Sequence, residues 1–589
     1  MSKERNEKNQ VQDKKKTLLR LGKYLMQHKL MLFFAIILTI TSNVFSLVGP
    51  RLSGNAIDAI GLSKGEADFP KVFYYCTLMI IMYALSAILS YALSVLMVNL
   101  SQKIIYKMRK DLSDKLLSMP VSFFDRHQTG DIVSRMSYDI DTINSSLSHD
   151  FVQISTSANT ILGSLFMMIK ISPMLVLVFA VTIPISLLMT RYKAKKVRPL
   201  FKKRSAKLGE LNGYAEEIIT GQKSIKTYNS EDVYIDRFDG KNSDAVSAHY
   251  EAEYHGSTMG PSVNFVNNLS LALISMFGAI LFLKGKLTPG NLSTFVLYSR
   301  KFSGPINEIA NILSELQSSL AAAERVFRLI DEESEPADLT GAKAIENVRG
   351  DVELKNIDFS YDGVKTVLKN VNLKADKGSL IAIVGPTGAG KTTIINLLMR
   401  FYDPVTGEIT LDGTPYLDIT RDSLRSSYAM VLQDTWLFGG TIYENIAYGN
   451  KNATREDVER CAKAAKIHNY IMALPEGYDT YLSEDGINIS QGQKQLLTIA
   501  RAMLLDSKML ILDEATSNVD TRTEKEIQSA MTTLMNGKTC FVIAHRLSTV
   551  ENADAILVIN DGEIKEQGTH SELLEKGGIY ASMYNSQYE

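Results

Sequence analysis

The sequence predicts an α-helical membrane domain followed by an α/β domain with a phosphate-binding loop. Two observations support this prediction. Long apolar runs without charged residues lie before about residue 325, and shorter apolar runs broken by Gly and Asp follow it. In the second half, GPTGAGKT (Gly385 to Thr392) stands between an apolar run that ends at Val384 and another that begins at Ile394. This is the strand, loop and helix context of a phosphate-binding loop.

Composition narrows the alternatives. A chain of 589 residues is expected to contain roughly two to four domains. The 64 basic and 65 acidic residues nearly cancel, so nothing indicates a nucleic-acid partner. Cys76, Cys461 and Cys540 are widely spaced and form no C-x-x-C pair, which argues against a disulfide scaffold or a zinc site.

The N-terminal segment predicts a retained membrane span. Residues 1–20 are highly charged, and an apolar stretch begins near Leu30. The stretch at 30–50 is too long for the apolar core of a cleaved signal peptide and lacks a small-residue cleavage pattern. Residues 17–28 place leucines among basic residues, which is typical of an amphipathic helix along the inner membrane surface or of a solvated helix.

Other uncharged windows are long enough to cross about 30 Å of hydrocarbon. They lie at 72–98, 151–169, 171–190 and 256–283. A sixth, at 287–313, is weaker because Arg300 and Lys301 interrupt it; these side chains are expected to face a water-filled path or to reach the interface. Since the second half must return to the side that contains ATP, we expect six spans.

The rest of the membrane half predicts cytoplasmic helices and an apolar cavity. The long loops at 101–150 and 191–255 are rich in Lys and Arg, so both loops and both termini are expected in the cytoplasm. Apolar residues recur in them at helical spacing, which predicts helices that continue out of the membrane. The five clear spans contain no Asp or Glu, so we expect a cavity without an acidic relay. Its expected lining is Met, Phe, Tyr and the amides Asn264, Asn267 and Asn268.

The predicted domain boundaries are 1–325 for the membrane domain, 326–350 for a linker and 351–589 for the α/β domain. Residues 351–354 and 357–361 alternate as antiparallel strands. Three later apolar runs predict core strands of a largely parallel sheet, accompanied by an antiparallel subdomain. These runs are Met509–Leu512, Cys540–Ala544 and Ala555–Ile559.

Three motifs indicate nucleotide chemistry. In the loop, glycines let backbone N–H groups surround phosphates, Lys391 reaches the β and γ oxygens, and Thr392 holds Mg²⁺. Asp513 and Glu514 follow an apolar strand, where they suit Mg²⁺ binding and activation of a water, although such a pair alone is often a helix N-terminus. Residues 489–493 begin a helix that could bind an anion or could be an ordinary capping segment.

Taken in order, these motifs resemble the aromatic loop, Walker A, glutamine loop, signature, Walker B, D-loop and histidine switch of ATP-binding cassette (ABC) proteins. They are Tyr361, Gly385–Thr392, Gln433, Ser490–Gln493, Asp513-Glu514, Ser517–Asp520 and His545. Six spans ahead of one cassette resemble a half-transporter of the ABC exporter type, and the similarity covers nearly the whole chain.

The resemblance implies a role for each matching residue, with ATP and Mg²⁺ as cofactors. The implied catalytic residues are Glu514, His545 and Gln433. The implied ATP-binding residues are Tyr361, Gly385, Pro386, Thr387, Gly388, Ala389, Gly390, Lys391, Thr392, Thr393, Ser490, Gln491, Gly492, Gln493 and Asp520. The implied Mg²⁺ ligands are Thr392, Gln433 and Asp513.

The resemblance also implies a dimer. In this family two cassettes enclose two ATP molecules, and each ATP lies between the phosphate loop of one cassette and the signature of the other. Short helices at the tips of the cytoplasmic loops are expected to dock onto the cassettes, around 123–126 and 215–218. The usual signature is Leu-Ser-Gly-Gly-Gln, but here Ile489 and Gln491 replace Leu and the first Gly. A side chain where backbone must approach phosphate predicts poor hydrolysis at that site. Such a chain resembles the catalytic-glutamate subunit of bacterial heterodimeric multidrug exporters.

The expected function is ATP-driven export of lipophilic drugs or lipids across the bacterial cytoplasmic membrane, as one half of a heterodimeric transporter. The expected partners are a second half-transporter, the lipid membrane and lipophilic small molecules. A homodimeric exporter of lipids or peptides, or an ATP-gated channel or regulator, would use the same cassette. Cassette ATPases of DNA repair do not fit, because residues 1–325 supply membrane spans and no long heptad coiled coil.

Overall fold

The computed structural model describes residues 14–61, 67–433, 435–483, 489–513, 520–544 and 550–588. Its contacts divide the chain into two units. We call Met1–Ser118 with His127–Glu332 the membrane unit, and Glu333–Glu589 with the short segment Met119–Arg126 the cassette unit.

The membrane unit is built from long helices. Its described α-helices are α1 (Lys14–Met26), α2 (Lys29–Ile60), α3 (Phe69–Leu117), α5 (Thr129–Ser134), α6 (Ile140–Ser145), α7 (Phe151–Ile171), α8 (Pro173–Thr220), α9 (Gln222–Thr227), α10 (Glu231–Gly256), α11 (Met259–Leu283) and α12 (Pro289–Ile330). Two π-helical turns, Arg135–Asp139 and Ser146–Asp150, join α5, α6 and α7. Helix α4 (Val121–Arg126) belongs to the cassette unit.

Local sequence explains where two of the long helices begin. Asp68 caps α3 by accepting a hydrogen bond from the backbone N–H of Lys71, and a proline occupies the first turn. Thr288 caps α12 in the same way through Asn291 N–H, again with a proline in the first turn. Both follow the preference of short polar acceptors for the cap and of proline for the first helical positions, where its missing N–H costs nothing.

Five helical segments of the described chain are long and apolar enough to cross a membrane. They are Lys29–Asp58, Phe69–Leu117, Thr129–Ile171, Pro173–Thr220 and Glu231–Leu283. Four of the five clear windows predicted from the sequence lie wholly inside these segments, and the window 171–190 begins two residues before Pro173. Helix α12, which contains the weaker window, does not meet the same criterion, so the sixth crossing stays a prediction.

Arg300 and Lys301 have different surroundings on α12. The Arg300 side chain is exposed, whereas Lys301 donates hydrogen bonds to the backbone oxygen of Ser46 at 3.0 Å and to its Oγ at 2.7 Å. Pro50 lies inside α2, four residues after Ser46. Because proline has no N–H, it leaves the Ser46 carbonyl without its helical partner. Lys301 therefore satisfies a backbone oxygen that Pro50 frees, a role that the sequence prediction did not include.

The N-terminal helix also has a packing role that neither alternative included. Leu21 and Tyr24 of α1 are buried, while Leu18 and Leu19 are exposed. The Tyr24 hydroxyl donates to Asp111 at 2.8 Å. One face of α1 thus packs within the membrane unit, where Tyr24 is bonded to Asp111 of α3.

The loop tips differ in one respect from the prediction. The first tip forms a short helix, α4, at the expected place. Residues 215–218, expected at the second tip, lie instead inside α8, which ends only at Thr220. Gly221, with φ −85° and ψ 5°, interrupts the helix, and the short helix is α9. The expected position of the second tip was therefore about two helical turns too early along the chain.

The cassette unit combines a mainly parallel sheet, an antiparallel sheet and helices. Its described strands are β1 (Val352–Ser360), β2 (Thr366–Ala375), β3 (Leu380–Val384), β4 (Thr406–Leu411), β5 (Thr414–Pro415), β6 (Tyr428–Val431), β7 (Gly440–Thr441), β8 (Tyr481–Leu482), β9 (Met509–Asp513), β10 (Thr539–Ile543), β11 (Ala555–Asn560) and β12 (Glu563–Gly568). Its helices after α4 are α13 (Lys391–Leu398), α14 (Arg421–Ser426), α15 (Ile442–Ala447), α16 (Arg455–Ala464), α17 (His468–Ala473), α18 (Gln491–Leu505), α19 (Thr521–Met535), α20 (His570–Lys576) and α21 (Ile579–Tyr588).

The six-stranded sheet has the order β12-β11-β3-β10-β9-β6, and only the edge strand β12 runs antiparallel to its neighbour. The four-stranded sheet β2-β1-β4-β5 is antiparallel. A buried apolar core includes residues from both sheets and from α13. The predicted combination of a largely parallel sheet and an antiparallel subdomain is confirmed.

One strand prediction was wrong in detail. Residues 351–354 and 357–361 were expected to form two strands, but Val352–Ser360 is one strand with a register shift between Leu354 and Ile357. Asn356, in this interruption, has a left-handed φ of 50°, a conformation that asparagine tolerates better than most residues. The extra residue of this bulge lets both Leu354 and Ile357 face the core, which breaks the alternation seen in the sequence.

Candidate nucleotide site

The predicted site is assembled at one edge of the six-stranded sheet. The parallel strands β3, β10 and β9 are in register, with Ile543 opposite both Ile383 and Asp513. Their carboxyl ends therefore meet at the same edge, where open α/β sheets bind their ligands. Glu514 and His545 come directly after β9 and shortly after β10 in the chain, but both lie outside the described residues.

The loop after β3 requires glycine at two positions for different reasons. Gly385 has φ 152°, and a Cβ there would lie 2.1 Å from the backbone oxygen of Ile559. Gly390, the residue before α13, has φ 107°, and its Cβ would lie 2.8 Å from Leu368. Both positions combine a backbone conformation that disfavours side chains with a lack of space. The loop is thus fixed in a tight turn that leads into the helix N-terminus.

Lys391 fills the centre of this loop. Its ammonium donates to the backbone oxygens of Gly385 at 2.8 Å and Pro386 at 3.1 Å. The side chain is buried, and this burial lowers the pKa of Lys391 while the charge of Asp513 opposes the shift. Phosphate oxygens could take the place of the two carbonyl oxygens and supply negative charge besides. The loop therefore fits a bound phosphate chain, the group that its sequence predicts.

The residues around Lys391 divide into an exposed set and a buried set. Pro386, Thr387, Gly388 and Thr392 are exposed, whereas Ala389 and Thr393 are buried. The Thr392 hydroxyl is therefore accessible to a cation. A threonine hydroxyl, the Asp513 carboxylate and an amide oxygen of Gln433 form the oxygen donor set that Mg²⁺ prefers.

Tyr361 lies beside the loop with its ring partly exposed. Its hydroxyl is 3.0 Å from Thr393 Oγ1 and accepts a hydrogen bond from Asn396 at 3.2 Å. Its ring packs perpendicular to the rings of Phe359, at 4.8 Å, and Tyr402, at 5.0 Å between centroids. A ring oriented by its hydroxyl and by two neighbouring rings, and still partly exposed, can contact a planar base.

Gln433 follows β6, which pairs with β9 in register from Tyr428 to Val431. The end of β6 consequently lies at the same sheet edge as Asp513. The Gln433 side chain is exposed. The structure therefore brings the phosphate loop, Asp513 and Gln433 to one edge of the sheet.

The signature residues form the N-terminus of α18. Ser490 caps the helix through a reciprocal pair of bonds with Gln493, so the capping interpretation of this segment is correct. The Ser490 hydroxyl accepts the Gln493 N–H at 3.3 Å and keeps its own proton to donate, while the N–H groups of the first turn still favour an anion. Capping and anion binding are thus compatible here.

Gln491, the unusual signature residue, contacts its own cassette. Its Nε2 lies 3.5 Å from Thr435 Oγ1, and Thr435 is two residues beyond Gln433.

Asp520 caps α19 by accepting the Thr523 N–H at 3.0 Å. This backbone hydrogen bond is the first cause that lowers the pKa of Asp520. Gly492 is buried in the first turn of α18.

Sequence reasoning missed Arg501 of α18. Its guanidinium donates to the backbone oxygens of Asn445 at 2.8 Å and Trp436 at 3.1 Å, and it lies over the rings of Phe438 and Tyr448. Burial lowers the pKa of Arg501. It thereby connects the signature helix to the segment that follows the glutamine loop. A lone arginine within the apolar run LLTIARAMLL was the available signal.

Comparison with known proteins agrees with this geometry. The profile described as "ABC transporter transmembrane region" matches residues 32–306, and the profile described as "ABC transporter" matches residues 368–517. The chain is 40% identical over 579 residues to the "Uncharacterized ABC transporter ATP-binding protein YfiC" of Bacillus subtilis, covering 98% of this chain and 95% of that protein.

Two further likenesses concern a curated relative and a solved structure. The "Fatty acid ABC transporter ATP-binding/permease protein" of Mycobacterium bovis is 40% identical over 536 residues, which is 91% of this chain and 85% of that one. The structure described as "a bacterial Atm1-family ABC exporter with ATP bound" superposes with a TM-score of 0.77 at 29% identity, covering 95% of this chain and 98% of that one.

Proposed function

The chain belongs to the ABC transporters, as an exporter half-transporter whose ATPase domain couples ATP hydrolysis to transport, and from this premise we propose that it exports lipophilic drugs or lipids. The observation that supports this most is the combination of a loop that fits a phosphate chain with a membrane unit of long apolar helices. A relative at 40% identity is named for fatty acids, which favours lipophilic cargo.

Each residue of the nucleotide site has a proposed role. Tyr361 stacks on adenine, the loop Gly385–Thr393 and Lys391 bind the phosphates, and Ser490–Gln493 with Asp520 face the nucleotide of the other cassette. Thr392, Gln433 and Asp513 would hold Mg²⁺, which when bound neutralises charge on the phosphates.

The proposed catalytic groups act on the attacking water. Glu514 polarises that water, His545 holds the γ-phosphate and the water, and Gln433 senses both the metal and the γ-phosphate. In-line phosphoryl transfer depends mainly on such positioning and on charge stabilisation.

The proposed topology has six spans in the bacterial cytoplasmic membrane, with the cassette and both termini in the cytoplasm. The Lys and Arg content of the two long loops supports this orientation. Helix α12 supplies the sixth crossing. The proposed domains are 1–325, 326–350 and 351–589, with the segment 119–126 grouping with the cassette.

The proposed assembly is a heterodimer with a second half-transporter. One observation supports a second chain: the signature N-terminus keeps donors that its own capping bonds do not use. The altered residue Gln491 supports a heterodimer over a homodimer, because its side chain stands where backbone must approach phosphate.

The test of assembly compares the purified chain alone with the chain co-purified with the half-transporter encoded beside it. We expect strong ATPase only from the pair, and we expect Glu514→Gln to abolish it. Gln491→Gly should raise the weak ATPase of the single chain, since it removes the obstructing side chain. Strong ATPase from the single chain, abolished by Glu514→Gln, would instead establish a homodimeric exporter of lipids or peptides.

The test of transport uses inverted membrane vesicles that contain the assembled complex. ATP-dependent accumulation of a fluorescent lipophilic dye or a fluorescent acyl lipid against its gradient is the expected result. An ATP-gated channel or regulator would only let the probe equilibrate across the membrane. A Lys391→Met complex provides the background for both outcomes.

A further inference from the structure

Helix α4 is attached to the cassette by a tyrosine that also contacts the candidate adenine-binding ring. The Tyr402 hydroxyl donates to Asp125 Oδ2 at 2.5 Å. Burial, then the hydrogen bond to Asp125, raises the pKa of Tyr402, so the hydroxyl keeps its proton at physiological pH. Phe123 of the same short helix is buried.

The other side of Tyr402 faces Tyr361. The two rings meet edge to face at 5.0 Å with an interplanar angle of 88°, and Phe359 closes the set at 5.6 Å from Tyr402. Tyr361 is joined in turn to Thr393 through its hydroxyl at 3.0 Å. Contacts therefore run without a gap from Asp125 through Tyr402 and Tyr361 to the residue after Thr392.

The backbone around Tyr402 is firmly held. Arg400, buried at 3% exposure with a left-handed φ of 51°, donates to the backbone oxygens of Tyr416 and Ile419, each at 2.8 Å. Its Nε also bonds Asp403 at 3.2 Å. These bonds hold the backbone next to Tyr402, which leaves it little freedom to absorb a displacement of the Tyr361 ring, because tightly packed groups do not deform continuously.

We propose that Tyr402 is a positioning residue that couples adenine occupancy to the first cytoplasmic loop, with its ring holding Tyr361 and its hydroxyl holding Asp125. This inference rests on the proposed function, in which Tyr361 stacks on adenine. It adds a connection at the base end of the nucleotide, separate from Gln433 at the phosphate end. Helix α4 is continuous in the chain with α3 and α5 of the membrane unit, so its position is communicated to the membrane helices through the backbone.

The experiment separates the ring from the hydroxyl in the fully assembled complex. Tyr402→Phe keeps the ring against Tyr361 and removes the bond to Asp125. We expect the ATP concentration for half-maximal ATPase to stay within about twofold, while dye transported per ATP hydrolysed falls about fivefold or more, as expected for the loss of a charge-assisted hydrogen bond. Tyr402→Ala should in addition raise the half-saturating ATP concentration about fivefold, because Tyr361 loses its perpendicular ring contact with Tyr402.

A double-mutant cycle tests whether the bond itself is responsible. Asp125→Ala should reproduce Tyr402→Phe, and the double variant should be no worse than either single variant. Asp125→Asn, whose amide oxygen can still accept from Tyr402, should restore most of the coupling. The control is Tyr584→Phe, since Tyr584 also donates to a carboxylate, Glu551, at 2.9 Å in the same unit; it should change none of these quantities.

The possible failures can be told apart. Unchanged transport per ATP in Tyr402→Phe would overturn the proposed role of the hydroxyl. A rise in half-saturating ATP without loss of coupling would reduce Tyr402 to a support for Tyr361 and would overturn the inference as well. If Lys391→Met left dye transport intact, the proposed function itself would fail, whatever Tyr402 does.

Discussion

Lys391 of the cassette unit and Lys301 of the membrane unit are both wholly or partly buried, and each donates two hydrogen bonds to oxygens of its own chain. Lys391 bonds the backbone oxygens of Gly385 and Pro386 in the glycine loop. Lys301 bonds the backbone and hydroxyl oxygens of Ser46. The two sites differ in why those oxygens are available.

The difference concerns whether a ligand can replace the acceptors. In the loop, the carbonyls come from a turn that is open to solvent at Thr387 and Gly388, so phosphate oxygens can displace them. In the membrane unit, the Ser46 carbonyl is available only because Pro50 lacks an N–H, and Lys301 fills the place of that missing donor. Two similar hydrogen-bond patterns therefore indicate different roles. Lys391 marks a ligand site, whereas Lys301 stabilises a helix by bonding a carbonyl that Pro50 leaves without a donor.

The largest expected effect is that of Lys391→Met. Removing the ammonium should lower ATPase and transport by about a hundredfold or more, because charge stabilisation of the phosphoryl group is lost. The measurement is steady-state ATPase and vesicle uptake of the assembled complex. The exposed Lys377→Met serves as control and should retain activity. If Lys391→Met were as active as Lys377→Met, Lys391 would not bind the phosphates, and its hydrogen bonds would be structural like those of Lys301.

Lys301→Met should act on stability rather than on ATP hydrolysis. It leaves the Ser46 carbonyl unsatisfied at a cost of about 1–3 kcal/mol, so the thermal unfolding midpoint of the purified complex should fall while the half-saturating ATP concentration stays unchanged. The exposed neighbour variant Arg300→Met should leave the midpoint unchanged. Unchanged stability combined with lost transport of one probe would instead assign Lys301 to the cargo path.

Pro50→Ala should reduce the cost of Lys301→Met. Alanine restores the N–H that can bond the Ser46 carbonyl, so in this background the lysine substitution should cost less than about 1 kcal/mol. The measurement is a double-mutant cycle on the unfolding midpoint. Additive effects would mean that Lys301 does not compensate for the proline.

The smallest effect is expected from Ser46→Ala. This variant removes only the hydroxyl acceptor and keeps the carbonyl bond to Lys301, for a loss of about 0.5–1 kcal/mol. Its control is Ser94→Ala, an exposed hydroxyl that bonds within its own helix at 3.0 Å and should matter less. A fall as large as that of Lys301→Met would shift the main contribution from the carbonyl to the hydroxyl.

Local patterns predicted the elements well where one physical rule dominated. Uncharged apolar runs of about 20 residues are typical of transmembrane helices. The conformation of the GPTGAGKT loop is restricted because Gly385 and Gly390 tolerate no side chain. The same local rules failed at Asn356, where a bulge joined two expected strands, and at Gly221, where the long helix ended later than expected. In both cases, the backbone conformation of a single residue set the boundary.

The sequence by itself determined the two-part architecture, the family and the residues proposed to bind ATP, because long apolar runs and a glycine-rich loop impose their structure locally. The tertiary structure alone decided what the polar side chains far apart in sequence do for one another. Only folding brings Lys301 to Ser46, across 255 positions, and Tyr402 to Asp125, across 277. Contacts between residues so distant depend on the packing of whole helices and sheets, which no local pattern specifies.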